Sequence, residues 1–287
     1  MAESFSHKWG QILGHFIQEF IRETLQKVAD EHGFYLDFQR KRKARITKKV
    51  SWQDRYGNYH DLDYVLERGG TEDTLGLPVA FLETAWRRYT KHSRNKVQEI
   101  EGALIPLADT YSHLNQFLGA ILAGVFTQGA LDQLESKGFK ILYLKYENIV
   151  KSFTCVGIDA SFNESTLEAD FQNKIEQWKK LSEQDITNIK NQMLSLEKSQ
   201  IDKFINTLEQ SFARLVQQIN VIVLHGQSQQ SATVENAIEY IHNYPENQAT
   251  FAPPLKYEID IRYNNGDLIH AIFNNKIEAL KFLRTFI

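Results

Sequence analysis

Two carboxylates, Asp63 and Glu83, lie in consecutive segments of the sequence that have the residue types of β-strands, "HDLDYVL" and "VAFLETA". Side chains alternate between the two faces of a strand. Asp61 and Asp63 therefore share one face of the first segment, and Glu83 and Ala85 share one face of the second. Neighbouring strands lie roughly 5 Å apart. If these two strands pair in register, Asp63 and Glu83 can both contact one cation.

A carboxylate buried in an apolar strand is costly unless a cation or hydrogen bonds compensate its charge. Mg²⁺ suits such a site because it binds carboxylate oxygens and keeps several waters. It can polarise a phosphodiester and lower the pKa of a bound water. Asp63, Glu83 and Asp61 are therefore candidate Mg²⁺ ligands. The alternative is an ion pair between Glu83 and Arg87 or Arg88.

Two basic segments without acids flank the carboxylates, residues 40–49 (the first basic segment) and residues 87–96 (the second basic segment). Lysine and arginine neutralise phosphates, and aromatic residues such as Trp86 and Tyr89 can stack on unpaired bases. The alternative is a solvated charged surface. The candidate DNA-contacting residues are Arg42, Lys43, Arg45, Lys48, Lys49, Arg87, Arg88, Lys91 and Arg94.

The overall composition limits the possible classes of protein. The net charge of −3 means that any attraction for nucleic acid must come from local patches. The single cysteine, Cys155, excludes an internal disulfide and a cysteine-rich zinc site. No apolar run is long enough to span a bilayer, and the N-terminus lacks a signal-peptide pattern. We expect a soluble cytoplasmic protein without a membrane partner.

The elements that must position the acids follow from periodicity and turn residues. Apolar residues at helical spacing predict a first helix that stops at Gly33. Strands separated by helices then imply a mixed sheet. The predicted order over the first half is a helix at 5–32, two strands within 50–68 joined by a turn at 55–58, a strand at 79–85, a helix at 93–111, a strand at 118–126, a helix at 128–138 and a strand at 140–146.

The composition changes near Gly157, so we predict a core domain over residues 1–157 and a C-terminal region over residues 158–287 for recognition or dimerisation. Residues 163–220 are predicted to be helical, and "GQSQQSA" to be a loop. A hairpin is predicted to turn at Asn264, Asn265 and Gly266. Glu258 and Asp260 in this hairpin are predicted to point to different faces. An apolar seam packs on its own domain or forms a homodimer contact; it consists of Ile201, Ile205, Leu208, Phe212, Leu215 and Ile219.

The order of elements, with one acid in the second strand and one in the third, resembles the PD-(D/E)XK nuclease superfamily. The resemblance covers roughly residues 5–146, and it places the two motif acids on Asp63 and Glu83. It implies an α/β fold with a mixed central sheet flanked by helices, built on a core of helix, three strands, helix and strand. It also implies a Mg²⁺-dependent deoxyribonuclease, such as a type II restriction endonuclease acting on double-stranded DNA alone or as a homodimer.

One position departs from the family pattern. The family has a lysine two residues after the second acid, and this sequence has Ala85. Some members supply the cation from the next helix, where Lys96 and Lys91 are the candidates and Glu99 is a candidate further ligand. The alternative is a solvated helix surface. The departure also keeps a second function open, in which a nucleic-acid-binding or regulatory protein retains the fold without catalysis.

Overall fold

The computed structural model describes residues 4–111, 116–212, 216–223, 227–246, 256–263 and 268–287. These residues form a mixed α/β structure that divides into two compact units, one extending to Gln210 and the other running from Ser211 to Ile287. The predicted boundary between residues 157 and 158 lies inside the first unit instead.

The first helix, α1, spans Phe5–His32 as predicted. The hydroxyl of Ser4 accepts a hydrogen bond from the amide of His7 and caps the start of the helix. Gly33 ends the helix with a φ of 66°, a left-handed conformation that favours glycine. The apolar face that the spacing predicts is buried, including Trp9 and Leu13.

The elements that follow are the strands β1 (Phe34–Phe38), β2 (Val50–Gln53), β3 (Tyr59–Leu62), β4 (Tyr64–Arg68) and β5 (Leu77–Arg87), the helix α2 (Ser93–Thr110), β6 (Phe117–Gly124), α3 (Gln128–Ser136) and β7 (Lys140–Lys145). Five of these strands form a sheet in the order β1-β4-β5-β6-β7. The pairs β1/β4 and β4/β5 are antiparallel, and β5/β6 and β6/β7 are parallel. The predicted mixed central sheet flanked by helices is therefore confirmed.

Asp63 lies at a break that the sequence prediction missed. The segment predicted as one strand is split into β3, which pairs with β2, and β4, which pairs with β1 and β5. Asp63 is the residue between them. The strand β1 was also not predicted, because "FYLDF" is short and directly follows the long helix. The chain turns between two sheets at the position of the first candidate acid.

Three helices after the central sheet, α4 (Tyr146–Phe153), α5 (Glu168–Lys179) and α6 (Glu183–Phe212), account for the later domain boundary. Trp178 of α5 packs edge-on against Phe16 of α1. Glu197 of α6 accepts a hydrogen bond from the amide of Lys145 at 3.0 Å. The described helices include none with the length and apolar character needed to cross a membrane.

The predicted apolar seam is only partly helical. Ile201 and Leu208 are buried on α6, which ends at Phe212, and Ile219 belongs to a strand instead. Phe204 on the same helix packs edge-on against Phe117 of β6, with ring centroids 5.5 Å apart. Ile201 and Leu208 therefore belong to the first unit, Ile219 belongs to the core of the second, and Leu215 lies outside the described residues. The homodimer remains a prediction.

The second unit contains β8 (Val216–Val223), β9 (Gln227–Ser231), α7 (Val234–Asn243), β10 (Tyr257–Tyr263), β11 (Leu268–Phe273) and α8 (Lys276–Leu283). Its strands form an antiparallel sheet in the order β11-β10-β8-β9 around a separate apolar core. The predicted loop "GQSQQSA" is wrong over β9. The strands of the predicted hairpin are confirmed, and its turn at 264–266 lies outside the described residues.

Candidate active site

The structure brings Asp63 and Glu83 together. Tyr64 of β4 is paired with Leu82 of β5, so the same register places residue 63 opposite residue 83. The amide of Asp63 donates a hydrogen bond to Oε1 of Glu83 at 3.1 Å. The two acids therefore meet across adjacent strands, as the alternation of side chains predicts.

The carboxylate of Asp63 is held by donors from β5 and α1. Oδ2 accepts a hydrogen bond from the amide of Thr84 at 2.8 Å and another from the Thr84 hydroxyl. Oδ1 accepts one from Nε2 of Gln18 at 3.3 Å. The hydroxyl of Tyr64 donates to the carbonyl of Gln18 at 2.7 Å, which fixes this part of α1 against the strand. The orientation of Asp63 is therefore set by three elements.

Glu83 is buried, with 9% of its surface exposed. The pKa of Glu83 is raised to about 8, mainly by burial and then by the negative charge of Asp63, while the positive charge of Lys96 opposes the rise. The Glu83 carboxyl is therefore largely protonated at neutral pH when no other cation is near. Two adjacent carboxyl groups, one of which raises the pKa of the other, form a donor set that fits a divalent cation.

Of the two candidate lysines, Lys96 is the one whose charge acts on Glu83. The Lys96 ammonium is close enough to Glu83 to lower its pKa, whereas Lys91 is exposed ahead of α2. Ala85 and Lys96 line the same cavity. Nζ of Lys96 also lies 3.2 Å from Oε2 of Glu99, a mostly exposed side chain. The structure thus places Glu99 beside the lysine.

Asp61, the third predicted ligand, has hydrogen-bond donors of its own outside the acid pair. Its carboxylate accepts hydrogen bonds from Nζ of Lys49 at 2.5 Å and from the hydroxyl of Ser51. The hydrogen bond from Lys49 is the main reason that the pKa of Asp61 is lowered. Asp61 is exposed, and its charge raises the pKa of Glu83 less than the charge of Asp63 does. It lies at the edge of the acid pair.

The first basic segment contains two arginines that are part of the protein interior. The Arg42 guanidinium lies 2.6 Å from Oε1 of Glu67 and 2.8 Å from Oδ2 of Asp37, and all three side chains are fully buried. Arg45 contacts the other oxygen of Asp37 at 2.8 Å and is 5% exposed. Arg42 and Arg45 therefore have a structural role in place of the predicted contact with DNA.

The lysines of the first basic segment face solvent. Lys43 lies 3.1 Å from the carboxylate of Asp73, and Lys49 pairs with Asp61. Lys48 is also exposed. All three lysines are exposed, and two of them have an acidic neighbour.

The second basic segment lies beside the acid pair. Arg87 and Arg88 line the same cavity as Lys96, and Lys91 and Arg94 are exposed. Nε of Arg88 donates to the carbonyl of Phe162 at 2.7 Å, and its guanidinium lies 4.0 Å from the centre of the Tyr146 ring. Within the described residues, neither arginine forms an ion pair with Glu83. The alternative in which a guanidinium neutralises this acid is therefore not observed.

Another group of possible metal ligands lies in the second unit. Ligand atoms of Glu258, Asp260 and His270 lie within 4.8 Å of one another, and Nδ1 of His270 is 2.7 Å from Oδ1 of Asp260. The prediction that the two acids point to different faces is wrong, because residues two apart on a strand share a face. The pairing of β10 with β11 places His270 opposite Asp260. This cluster is half exposed and mutually paired.

Sequence reasoning missed two residues that hold the candidate site together, Gln18 and Thr84. Thr84 follows the second acid directly, and its position could have been found from the antiparallel pairing of two acid-bearing strands. Gln18 lies on the partly buried side of α1 and donates both to Asp63 and to Thr84, each at 3.3 Å. No spacing in the sequence connects a residue of the first helix to a strand so much later in the chain.

Comparison with known proteins adds no family. No family model and no curated protein matches the chain. A crystal structure described as a protein of unknown function, AF1548, is 12% identical and covers 67% of this chain and 99% of its own, with a TM-score of 0.29. A likeness this weak carries no argument about fold or function.

Proposed function

We propose that this protein is a Mg²⁺-dependent nuclease that hydrolyses phosphodiester bonds in DNA. The observation that carries the proposal is the meeting of Asp63 and Glu83 across two strands with no guanidinium between them. The order of helix, strand, strand, strand, helix and strand in the central sheet, with β2 and β3 as an added hairpin, supports the resemblance to the PD-(D/E)XK superfamily. The restriction role and the duplex substrate rest on that resemblance alone.

Asp63 and Glu83 would hold the ion. When bound, Mg²⁺ polarises the phosphodiester and makes a coordinated water more acidic. Gln18 and Thr84 orient the Asp63 carboxylate, so that it is presented to the site in a fixed position. The Lys96 ammonium stabilises negative charge beside Glu83, and it is the group that can orient the attacking water. Glu99 holds this ammonium at 3.2 Å.

A second candidate function is nucleic-acid binding without cleavage. The observation that favours it is Ala85, a buried apolar side chain at the motif position where the family has a lysine. In this alternative Lys96 would contribute charge to binding, and the acid pair would have no catalytic role. The two functions differ in whether DNA is cut, so one comparison separates them.

The test incubates the wild-type protein with circular duplex DNA and circular single-stranded DNA, in Mg²⁺ or with a chelator. We expect Mg²⁺-dependent cutting that Asp63→Asn and Glu83→Gln each reduce by at least about 100-fold, the size of loss typical for a removed electrostatic group. Asp73→Asn is the matched control, because Asp73 is an exposed acid paired with Lys43. It should cut like the wild type.

Binding distinguishes the remaining outcomes. Wild-type protein that retains DNA in a gel shift at low salt without cutting it would support the binding protein. Cutting that persists in both acid variants would contradict the nuclease site proposed here. A wild-type protein that neither cuts nor binds DNA would contradict both functions.

A further inference from the structure

A groove of about 480 Å³ opens next to the acid pair, between α1 and the end of β5. We define the groove by six of its lining residues: Gly10, Gly14, Trp86, Arg87, Arg88 and Lys96. Gln18 and Thr84 also belong to its wall, and both donate hydrogen bonds to Asp63. We propose that the groove binds unpaired nucleotides of a DNA strand and leads that strand to the acids. This inference rests on the proposed function.

The charge of the groove selects an anionic occupant. Its lining contains Arg87, Arg88 and Lys96 together with His7 and His15, and among the described residues no aspartate or glutamate lines it; Glu99, which lies 3.2 Å from Lys96, is outside the lining. This is unusual in a chain that has 36 acids against 33 lysines and arginines. A neighbouring cavity of about 490 Å³ has both acids and bases in its lining. The phosphate backbone of a nucleic acid therefore matches the groove and has no such match in its neighbour.

Two glycines make room for the occupant. Gly10 and Gly14 lie one turn apart on α1, and both line the groove. A β-carbon at either position would meet Trp86 at 3.9 Å, an ordinary contact, so the fold does not require glycine there. A glycine within a helix costs about 1 kcal/mol relative to alanine. The space that these two residues leave beside the Trp86 ring is therefore a feature of the groove and not a packing need.

The planar groups of the groove favour unpaired bases. Trp86 is partly exposed in the wall, and the Arg88 guanidinium is stacked over the Tyr146 ring at 4.0 Å. Aromatic rings stack on the faces of bases, and those faces are covered inside a duplex. A ring recessed in a groove reaches a base only when that base has left the helical stack. The resemblance implies a duplex substrate. The groove instead favours DNA that has an unpaired segment.

The test measures binding by fluorescence anisotropy, in metal-free buffer at low salt. The probes are a labelled single strand of mixed sequence, about 12 nucleotides long to span the groove, the same strand in a duplex, and a fork that carries it as a tail. We expect the single strand and the fork to bind at least tenfold more tightly than the duplex. Trp86→Ala should weaken single-strand binding by about tenfold, the effect expected for one lost stacking contact, and Trp86→Phe should restore most of it.

Filling the groove should act in the same direction. Gly14→Leu and the double variant Gly10→Ala/Gly14→Ala should each weaken single-strand binding, while thermal unfolding shows that α1 is intact or more stable. Gly102→Leu is the matched control. Gly102 lies within α2 and is exposed, and a β-carbon added there would meet nothing within 4 Å, so this variant should bind like the wild type.

The outcomes separate the groove from the nuclease. Equal or tighter binding of the duplex, or folded groove-filling variants that bind the single strand normally, would overturn the groove inference. If the groove variants cut duplex DNA in a Mg²⁺-dependent way as well as the wild type does, the groove inference would be overturned. The proposed function would then still stand. Selective single-strand binding that the groove variants weaken, without any cutting, would support the groove and contradict the nuclease.

Discussion

Two pairs of acids lie across adjacent strands at the central sheet. Only one of these pairs is neutralised by arginine within the described residues. Asp37 on β1 and Glu67 on β4 share the guanidinium of Arg42, and Arg45 adds a second contact to Asp37. Asp63 and Glu83, one residue before β4 and within β5, have amide, hydroxyl and side-chain amide donors instead. Lys96 acts on Glu83 through its positive charge.

The difference shows how the same residue types acquire different roles. A guanidinium with its planar fork of donors satisfies two carboxylates and leaves a closed, structural ion-pair network. An acid pair without a guanidinium keeps its affinity for a cation. The first network fixes the loop that the first basic segment forms, which explains why most of its arginine charge does not reach solvent. The second basic segment lines the groove beside the open acid pair.

The largest expected effect comes from removing the guanidinium shared by the closed pair, Asp37 and Glu67. Arg42→Ala should lower the free energy of unfolding by about 3–5 kcal/mol, because it leaves Asp37 and Glu67 buried without their shared cation. Denaturant unfolding measures this change. The matched control is Lys43→Ala, which alters the next exposed cation in the segment and should change stability by less than about 0.5 kcal/mol. A loss for Arg42→Ala as small as that of the control would contradict its structural role.

The open pair, Asp63 and Glu83, should make the free energy of unfolding depend on pH, with an effect that is smaller per pH unit. Because the folded-state pKa of Glu83 is raised to about 8, the folded protein binds a proton that the unfolded chain releases above its usual pKa of 4.5. This contribution to stability is fully present below pH 4.5 and is lost as the pH rises towards 8. Relative to Glu83→Gln, the metal-free wild type should lose on the order of 1 kcal/mol per pH unit in this window.

Urea unfolding at several pH values between about 5 and 8 measures this slope. Glu135→Gln, which removes an exposed acid on α3, should keep the wild-type slope. Parallel stability curves for the wild type and Glu83→Gln would show that Glu83 ionises normally, and the comparison between an open and a closed pair would then lose its electrostatic basis.

The smallest effect concerns the two basic segments. Replacing Lys91 and Arg94 with alanine should reduce the salt dependence of DNA binding by about one unit of log–log slope per residue, as expected for lost phosphate contacts. Replacing Lys43 and Lys48 should reduce it less, because these lysines lie on the segment whose arginines are used internally. Anisotropy titrations at several salt concentrations measure the slopes. A larger effect of the Lys43 and Lys48 replacement would reverse the assignment of the two segments.

The meeting of Asp63 and Glu83 could be predicted from the sequence because strand alternation and antiparallel pairing are local rules. The groups that Arg42 and Arg88 contact could not be predicted from the sequence. Both occur in acid-free runs, and what distinguishes them is a partner brought by the fold, Glu67 for one and Tyr146 for the other. The same limit applies to Gln18, whose contact with Asp63 depends on how α1 lies on the sheet.

The predicted boundary between residues 157 and 158 lies inside the first compact unit for a related reason. The polar composition of α5 and α6 suggested a separate region, but each helix buries only a narrow apolar face. Trp178 and Glu197 attach the helices to the first unit. Composition reports the exposed side of such a helix, and the few buried residues decide which unit it joins.

Calorimetric titration of the metal-free protein with Mg²⁺ at about pH 8, near the raised pKa of Glu83, tests whether Asp63 and Glu83 bind the metal. We expect binding that Glu83→Gln and Asp63→Asn each abolish, whereas Asp260→Asn, which disrupts the partly exposed cluster of the second unit, leaves that binding in place. Binding that is lost in Asp260→Asn and retained in Glu83→Gln would contradict the assignment of the metal to the acid pair of the central sheet.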